Sequence, residues 1–472
     1  MSFLSTPAAR AGLAGLGLSL GLASCQPNID APPAPTAGTL DFTSYVAVGN
    51  SLTAGYADGG LYNQGISNSY PSLLAQQFAT TGKGPASFVQ PTFSSARPDG
   101  SGYLKLQLVN NALAPVAPSP ANQFLGEQVA YTGGTLPLSG QAELEPYSGA
   151  QPDNLGVPGI SVLSATAQAS TIPQVAGAAA AYGLINPFYQ RLLPAADRGT
   201  KDYLTYIGQK SPTFFTCWLG ANDVLTYATN GGVAVATNPF SNLTDTTSFG
   251  RGYRAILGTL TKNGTVKGAV ANIPNVTTIP YFTTVPVAAV IASIKANSAI
   301  PNAAAASLYI RTGAGTVREA TSADLLILPA QAVIGTPSTT AGNPFPVGIG
   351  YSATQANPLP SNFVLDTDEI TSVNTRTTQL NTIIAKTAQR FQVPVVDMNT
   401  FFTGIAQRGI ATNAVSNSTA YVTGNLFSLD GVHPTPRGYA VVANEWIRVI
   451  NAYYGATIPS ANPNNYRGIL FP

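Results

Sequence analysis

A single histidine, His433, occurs in the 472 residues, and it stands in Ser428-Leu429-Asp430-Gly431-Val432-His433-Pro434. Asp430 precedes it by three residues, a spacing at which one tight loop can set a carboxylate against an imidazole. A neutral imidazole suits the removal of a proton from a hydroxyl near neutral pH. A carboxylate behind it fixes the tautomer and stabilises the imidazolium that forms. The hydroxyl for such a base is offered by Ser51 in Gly49-Asn50-Ser51-Leu52, directly after the apolar run Tyr45-Val46-Ala47-Val48. Gly, Asn and Ser are ordinary turn formers, so this tetrapeptide gains its weight from its partners. In Trp218-Leu219-Gly220-Ala221-Asn222-Asp223, the Asn222 amide could donate to an oxyanion on an attacked carbonyl, although the stretch alone reads as a turn. In Asn154-Leu155-Gly156-Val157-Pro158-Gly159, the glycines let backbone N–H groups approach a substrate closely, and by itself the stretch is a loop.

These side chains need elements to hold them, and the text from Leu40 onward supplies strands and helices in alternation. Thr213–Leu219, Gly268–Ile273 and Val393–Asp397 read as buried strands beside Tyr45–Val48. A helix is expected from Pro71 to Thr80, another around Tyr253, Ile256, Leu257 and Leu260, and a long one over Thr367–Phe391. Asp366 and Glu369 are spaced as a capping box for the long one. A last helix runs from Arg437 to Tyr454, with Gly455 after its end. Strands that are apolar throughout, alternating with helices, imply a parallel sheet covered on both faces, a doubly wound α/β domain. Regions 90–153 and 286–362 break the rhythm and read as insertions, hairpins or a small cap. The second carries an expected strand pair around Leu308–Arg311 and Leu325–Leu328.

Together the four chemical stretches resemble the SGNH (GDSL-type) hydrolases, in the family's order and over nearly the whole mature chain. The resemblance implies a flavodoxin-like three-layer sandwich, with Ser51 as nucleophile, His433 as base and Asp430 as its partner. It also implies an oxyanion hole from the Ser51 N–H, the Gly159 N–H and the Asn222 side chain. Gly159 is chosen over Gly156 because the family glycine stands five residues after an asparagine, here Asn154. Asn50 departs from the family's aspartate at that position. The runs Ala47–Tyr56 and Ser428–Gly438 further resemble a lipoprotein branch found in Bacteroidetes-type bacteria.

Composition bounds the partners. Only 9% of residues are charged and the net charge is +2, which supplies no basic footprint for nucleic acid. One histidine and no cluster at ligand spacing leave nothing to hold a transition metal, so neither a metal nor a cofactor is expected. Residues 1–24 read as a secretion signal. Within it Gly17-Leu18-Ser19-Leu20-Gly21 mimics a nucleophile elbow, but the signal would be removed. Leu22-Ala23-Ser24-Cys25 resembles a lipobox, which implies lipidation of Cys25 and a cell-envelope protein held on a membrane. Residues 25–39 are then the lipidated cysteine and a Pro/Ala-rich tether, 40–458 the hydrolase domain and 459–472 a tail. Cys217, in an apolar run, reads as a buried thiol.

The leading expectation is a lipid-anchored serine esterase acting on carboxylic esters, with activity falling as His433 becomes protonated. Lipase, carbohydrate acetylesterase and thioesterase all fit. Apolar walls would suit an acyl chain, and aromatic ones such as Tyr103 or Tyr351 a sugar. The rival is a non-catalytic surface lipoprotein that binds glycans or lipids on the same fold. That every catalytic position is filled speaks against it.

Overall fold

Strand β1 (Tyr45–Gly49) is buried at all five positions, and so is β3 (Phe214–Trp218). Full burial is what strands covered on both faces require. Between them in the chain lies β2 (Asn154–Gly156), and after them come β4 (Lys267–Ala271) and β5 (Val395–Val396). The five form one parallel sheet in the order β5-β4-β3-β1-β2. That is the doubly wound order 2-1-3-4-5, in which ligands bind where the winding reverses, between β1 and β3. Val395 follows Pro394, which has no N–H to donate, and β5 is correspondingly two residues long.

Helices α2 (Tyr70–Ala79) and α7 (Pro436–Tyr454) pack together on one face. Tyr70 stacks on Trp446 at 5.3 Å there, and Trp218 meets Trp446 edge-on. Helices α3 (Val162–Thr166), α5 (Thr246–Leu260) and α6 (Thr367–Arg390) cover the other face. The Asp366/Glu369 capping box is formed at the start of α6. The protein is thus a three-layer α/β sandwich. This computed structural model describes residues 34–109, 111–117, 128–136, 140–166, 185–235, 238, 240–340 and 342–472. The signal segment 1–24 and Cys25 lie outside the described residues. Residues 35–472 form one compact unit.

Three expectations need correction. The stretch Asn154–Gly159 is not merely a loop, because its first three residues pair with Ala47–Gly49 as the edge strand β2. Strands do form at Ser307–Arg311 and Leu325–Leu326, but they do not pair with each other. The former lies between Val317–Glu319 and Ile349–Ser352, while the latter pairs with Val364–Leu365 just before α6. The insertion is an antiparallel four-stranded sheet with its own apolar cluster, including Leu308, Ile310, Ile349 and Leu359. Finally, the tether gives way to the fold at about Thr36 rather than at Leu40. Thr36 and Thr457 exchange hydrogen bonds, and Ala37 is buried.

Candidate active site

Everything at the site starts from the end of β1. Gly49 closes the strand where a Cβ would lie 2.0 Å from Thr53 Oγ1 and 2.7 Å from the Trp218 carbonyl, so only glycine fits. Asn50 then caps the short helix α1 (Ser51–Ala54): its Oδ1 accepts the Leu52 N–H at 3.0 Å. That answers the departure from aspartate, since a cap uses an acceptor oxygen and asparagine supplies one. Ser51 follows at the first helical position, where its N–H has no intrahelical partner.

The second support is β2. Asn154 Nδ2 donates to the Thr53 carbonyl at 2.9 Å, and Asn154 Oδ1 accepts the Gly156 N–H at 3.0 Å. A Cβ on Gly156 would lie 2.3 Å from the Ala54 nitrogen, so the strand presses directly on the helix that carries Ser51. We expect Gly156→Ala to cost about 1–3 kcal/mol of stability through this backbone clash, read from denaturant midpoints. It should also depress ester turnover, because the displaced group is the Ser51 helix itself.

Across the sheet, His433 Nε2 lies 2.8 Å from Ser51 Oγ, and His433 Nδ1 lies 2.8 Å from Asp430 Oδ2. The loop that holds them precedes α7, whose first turn is capped by Thr435. Asp430 Oδ1 accepts the Val432 and His433 N–H groups, both at 2.8 Å, and the Ser428 hydroxyl at 3.1 Å. Its Oδ2 also accepts the Gly59 N–H at 3.0 Å. Burial pushes the Asp430 pKa up, but the His433 charge and these donors outweigh it and hold the carboxyl below its ordinary value. The Tyr56 ring packs on the imidazole at 4.7 Å.

Asn222 is the first residue of α4 (Asn222–Thr229), just past β3, and lines the same cavity as Ser51 and His433. One of its amide hydrogens goes to the Ile160 carbonyl at 2.9 Å, which leaves the other free to serve a ligand. Gly159 has φ +81°, and its N–H has no acceptor among the described residues, whereas the Gly156 N–H is taken by Asn154. The two loops are tied together by Asp223, whose carboxylate accepts the Val162 and Leu163 N–H groups at 2.8 and 3.3 Å. Its burial raises the pKa to about 6 against those donors.

Sequence reading missed the support behind Asp430. Asp58 is buried at φ +53°; its N–H donates to Ser428 Oγ and its carboxylate accepts the Leu429 N–H. Tyr62 donates to the same carboxylate, and Arg467 of the tail lies 3.6 Å from it. Burial raises the Asp58 pKa, and the Leu429 donor and Arg467 oppose that. No local signal linked position 58 to position 430; only the fold does.

Beside Ser51 opens a slot of about 40 Å³ walled by Leu52, Leu225, Val276, Ile279, Phe402 and Phe427. Tyr103 and Tyr351 lie elsewhere: Tyr103 stacks on Tyr62, and the Tyr351 hydroxyl donates to the Pro301 carbonyl. Cys217 is free and buried, and burial pushes its thiol well up.

No curated protein matches the chain. Among solved structures, a candidate GDSL-like lipase from Parabacteroides merdae is similar at 10% identity with a TM-score of 0.32, covering 87% of this chain and 97% of its own. The model of the family described as GDSL-like Lipase/Acylhydrolase matches residues 45–446. The match runs from β1 into α7 and covers most of the chain, so the protein belongs to the GDSL-like lipase/acylhydrolase family of ester hydrolases.

Proposed function

We propose that this protein is a serine esterase that cleaves carboxylic esters of short acyl groups and is held on the bacterial envelope through lipidated Cys25. The observation that carries the catalytic reading is the unbroken chain of 2.8 Å contacts from Ser51 Oγ through His433 to Asp430. Ser51 Oγ attacks the ester carbonyl carbon while His433 Nε2 takes the hydroxyl proton. The carbonyl π pair moves onto oxygen, and the oxyanion is met by the Ser51 N–H, the Gly159 N–H and the free Asn222 amide hydrogen. His433 returns the proton to the departing alkoxide, leaving an acyl-Ser51. Water, deprotonated by the same imidazole, attacks the acyl carbon; the bond from that carbon to Ser51 Oγ then breaks, His433 returns the proton to Oγ, and the acid leaves. Throughout, Asp430 keeps Nδ1 protonated and Nε2 directed at Ser51.

The slot supports a short acyl group. On the scale where one water needs about 10–15 Å³, 40 Å³ holds about three or four such groups, roughly an acetyl to butyryl tail. The walls are carbon, which desolvates such a tail favourably. Among p-nitrophenyl esters, turnover should be highest for acetate or butyrate and fall steeply by octanoate. A maximum at long chains would overturn the short-acyl assignment while leaving the esterase one standing. Asn222→Ala should lower kcat by about 10²–10³-fold, the loss typical of one oxyanion donor. An unchanged kcat would remove Asn222 from the oxyanion site.

Anchoring rests on Leu22-Ala23-Ser24-Cys25 followed by the Pro/Ala-rich stretch 26–35. Incorporation of labelled fatty acid into the wild-type chain, absent from Cys25→Ser, is the expected result; equal labelling of both would refute it.

A further inference from the structure

The walls of the slot beside Ser51 follow the order of the strands beneath them. Asn50, Ser51 and Leu52 come directly after β1, and Ala221, Asn222 and Leu225 come after β3. Pro274, Val276 and Ile279 come after β4. Phe402 stands on the helix Met398–Arg408, which starts directly after β5. The rest of the wall, from Phe427 to Pro434, belongs to the loop before α7. Because the sheet runs β5-β4-β3-β1, the helix of Phe402 starts three strand spacings from Ser51, about 14 Å. It packs back against the turn Val276–Thr278 beyond β4. Leu52 is next to Ser51, and Leu225 stands one turn after Asn222, so both flank the end that holds the ester carbonyl. An acyl tail attached to that carbonyl therefore points across the sheet towards Phe402.

Side chains fasten the helix of Phe402 to the end of β4. Asp397 caps it by accepting the Thr400 N–H at 3.1 Å, and the Asn272 amide donates to the same carboxylate oxygen at 2.7 Å. Asn272 Oδ1 accepts the Asn399 N–H at 3.0 Å, and Asn399 Nδ2 donates to the Ile273 carbonyl at 3.0 Å. Within the helix, Met398, Phe402 and Ile405 share the buried side. The Phe402 ring meets the buried Phe427 ring at 5.9 Å. Both rings are carbon throughout, so this end of the slot reads the length of a tail rather than its polar groups. Phe427 also stands at the stem of the catalytic loop: it is bridged to Pro434, and the next residue, Ser428, donates its N–H to the His433 carbonyl at 2.8 Å. Phe402 belongs to a separate element and can be replaced without cutting into that stem.

We propose that Phe402 sets the length of acyl group that this protein accepts, its ring being the stop against which the acyl terminus abuts. The inference rests on the reading of the slot as a short-acyl site. A tail no longer than butyryl ends before the ring, whereas further methylenes would have to displace it. Closely packed interiors do not absorb extra methylenes without strain. Since the ring lines the slot, removing it opens space continuous with the slot. Each methylene that enters this space leaves water, which is worth about a fourfold preference per carbon.

The test compares kcat/KM of wild type, Phe402→Ala and Phe402→Leu on p-nitrophenyl acetate, butyrate, hexanoate and octanoate. Ratios are taken within each protein, so a variant of lower activity still reports its chain-length preference. In Phe402→Ala the hexanoate-to-butyrate ratio should rise about fifteenfold, because two more methylenes are accommodated. Phe402→Leu keeps the buried stripe filled and should move the ratio the same way by less; it carries the test if the alanine protein does not fold. Alkyl acetates with lengthening alcohols should show no comparable change. Ratios in the folded variants equal to those of wild type would overturn the stop while leaving the short-acyl profile of the wild type standing. A wild-type maximum at octanoate would instead remove the short-acyl reading, and the stop with it. A change confined to the alkyl acetates would give the slot to the alcohol and overturn the stop.

Discussion

Ser51→Ala should abolish ester hydrolysis, with kcat falling by about 10⁶-fold, the scale set by removal of a serine nucleophile. The fold should survive, because the only hydrogen bond that the Ser51 hydroxyl makes among the described residues is the one to His433. His433→Ala should match it, and the double variant should be no worse, since the two act as one unit. Steady-state kinetics on p-nitrophenyl acetate, beside thermal melts of each variant, check both statements. An additive loss in the double variant would mean that Ser51 and His433 do not share a step.

Asp430→Asn should lower kcat by about 10⁴-fold while leaving KM close to wild type. An amide whose oxygen takes the place of Oδ2 keeps the Nδ1–H and Gly59 donors, and its NH₂ group then confronts the Val432 and His433 N–H groups that the carboxylate now satisfies. At least one buried donor loses its acceptor, so stability should drop by about 1–3 kcal/mol. That difference depends on pH in a stated direction. The Asp430 carboxyl is held below its ordinary value, so it stabilises the folded chain above about pH 3.9, and this contribution disappears as the pH falls through the lower folded-state value. Urea midpoints of wild type and Asp430→Asn should therefore differ at pH 7 and converge in acid. A gap that is constant with pH would show that the charge of Asp430 is not what the fold uses.

The sheet and its main helices were readable because their signals are local. Tyr45–Val48 and Thr213–Leu219 are unbroken apolar runs, and Asp366 with Glu369 announces the start of α6 within four residues. Pairing was not readable. Leu308–Arg311 and Leu325–Leu328 both look like strands, but Leu308 pairs with Ile349 and Leu325 with Leu365, partners that no local signal names. Strand β2 escaped because three residues at a sheet edge carry no periodicity.

At the site, roles could be tied to residues because the chain has one imidazole and it stands three residues after a carboxylate. The network behind Asp430 could not, since Asp58 and Gly59 lie more than 370 positions away in sequence. Asn50 is the instructive case. It departs from a family aspartate, yet Asn before Ser-Leu-Thr-Ala is an ordinary helix cap, and the structure uses it as one.

The account turns on Ser51 being an activated nucleophile rather than a serine in an inherited fold. A fluorophosphonate probe reacts covalently only with a serine whose hydroxyl a neighbouring base has activated, and peptide mass mapping locates the adduct. Wild type should carry one adduct, on Ser51, with stoichiometric loss of ester hydrolysis; Ser51→Ala and His433→Ala should carry none. A wild-type protein that binds glycans or lipids but takes up no probe, or takes it up away from Ser51, would contradict the account.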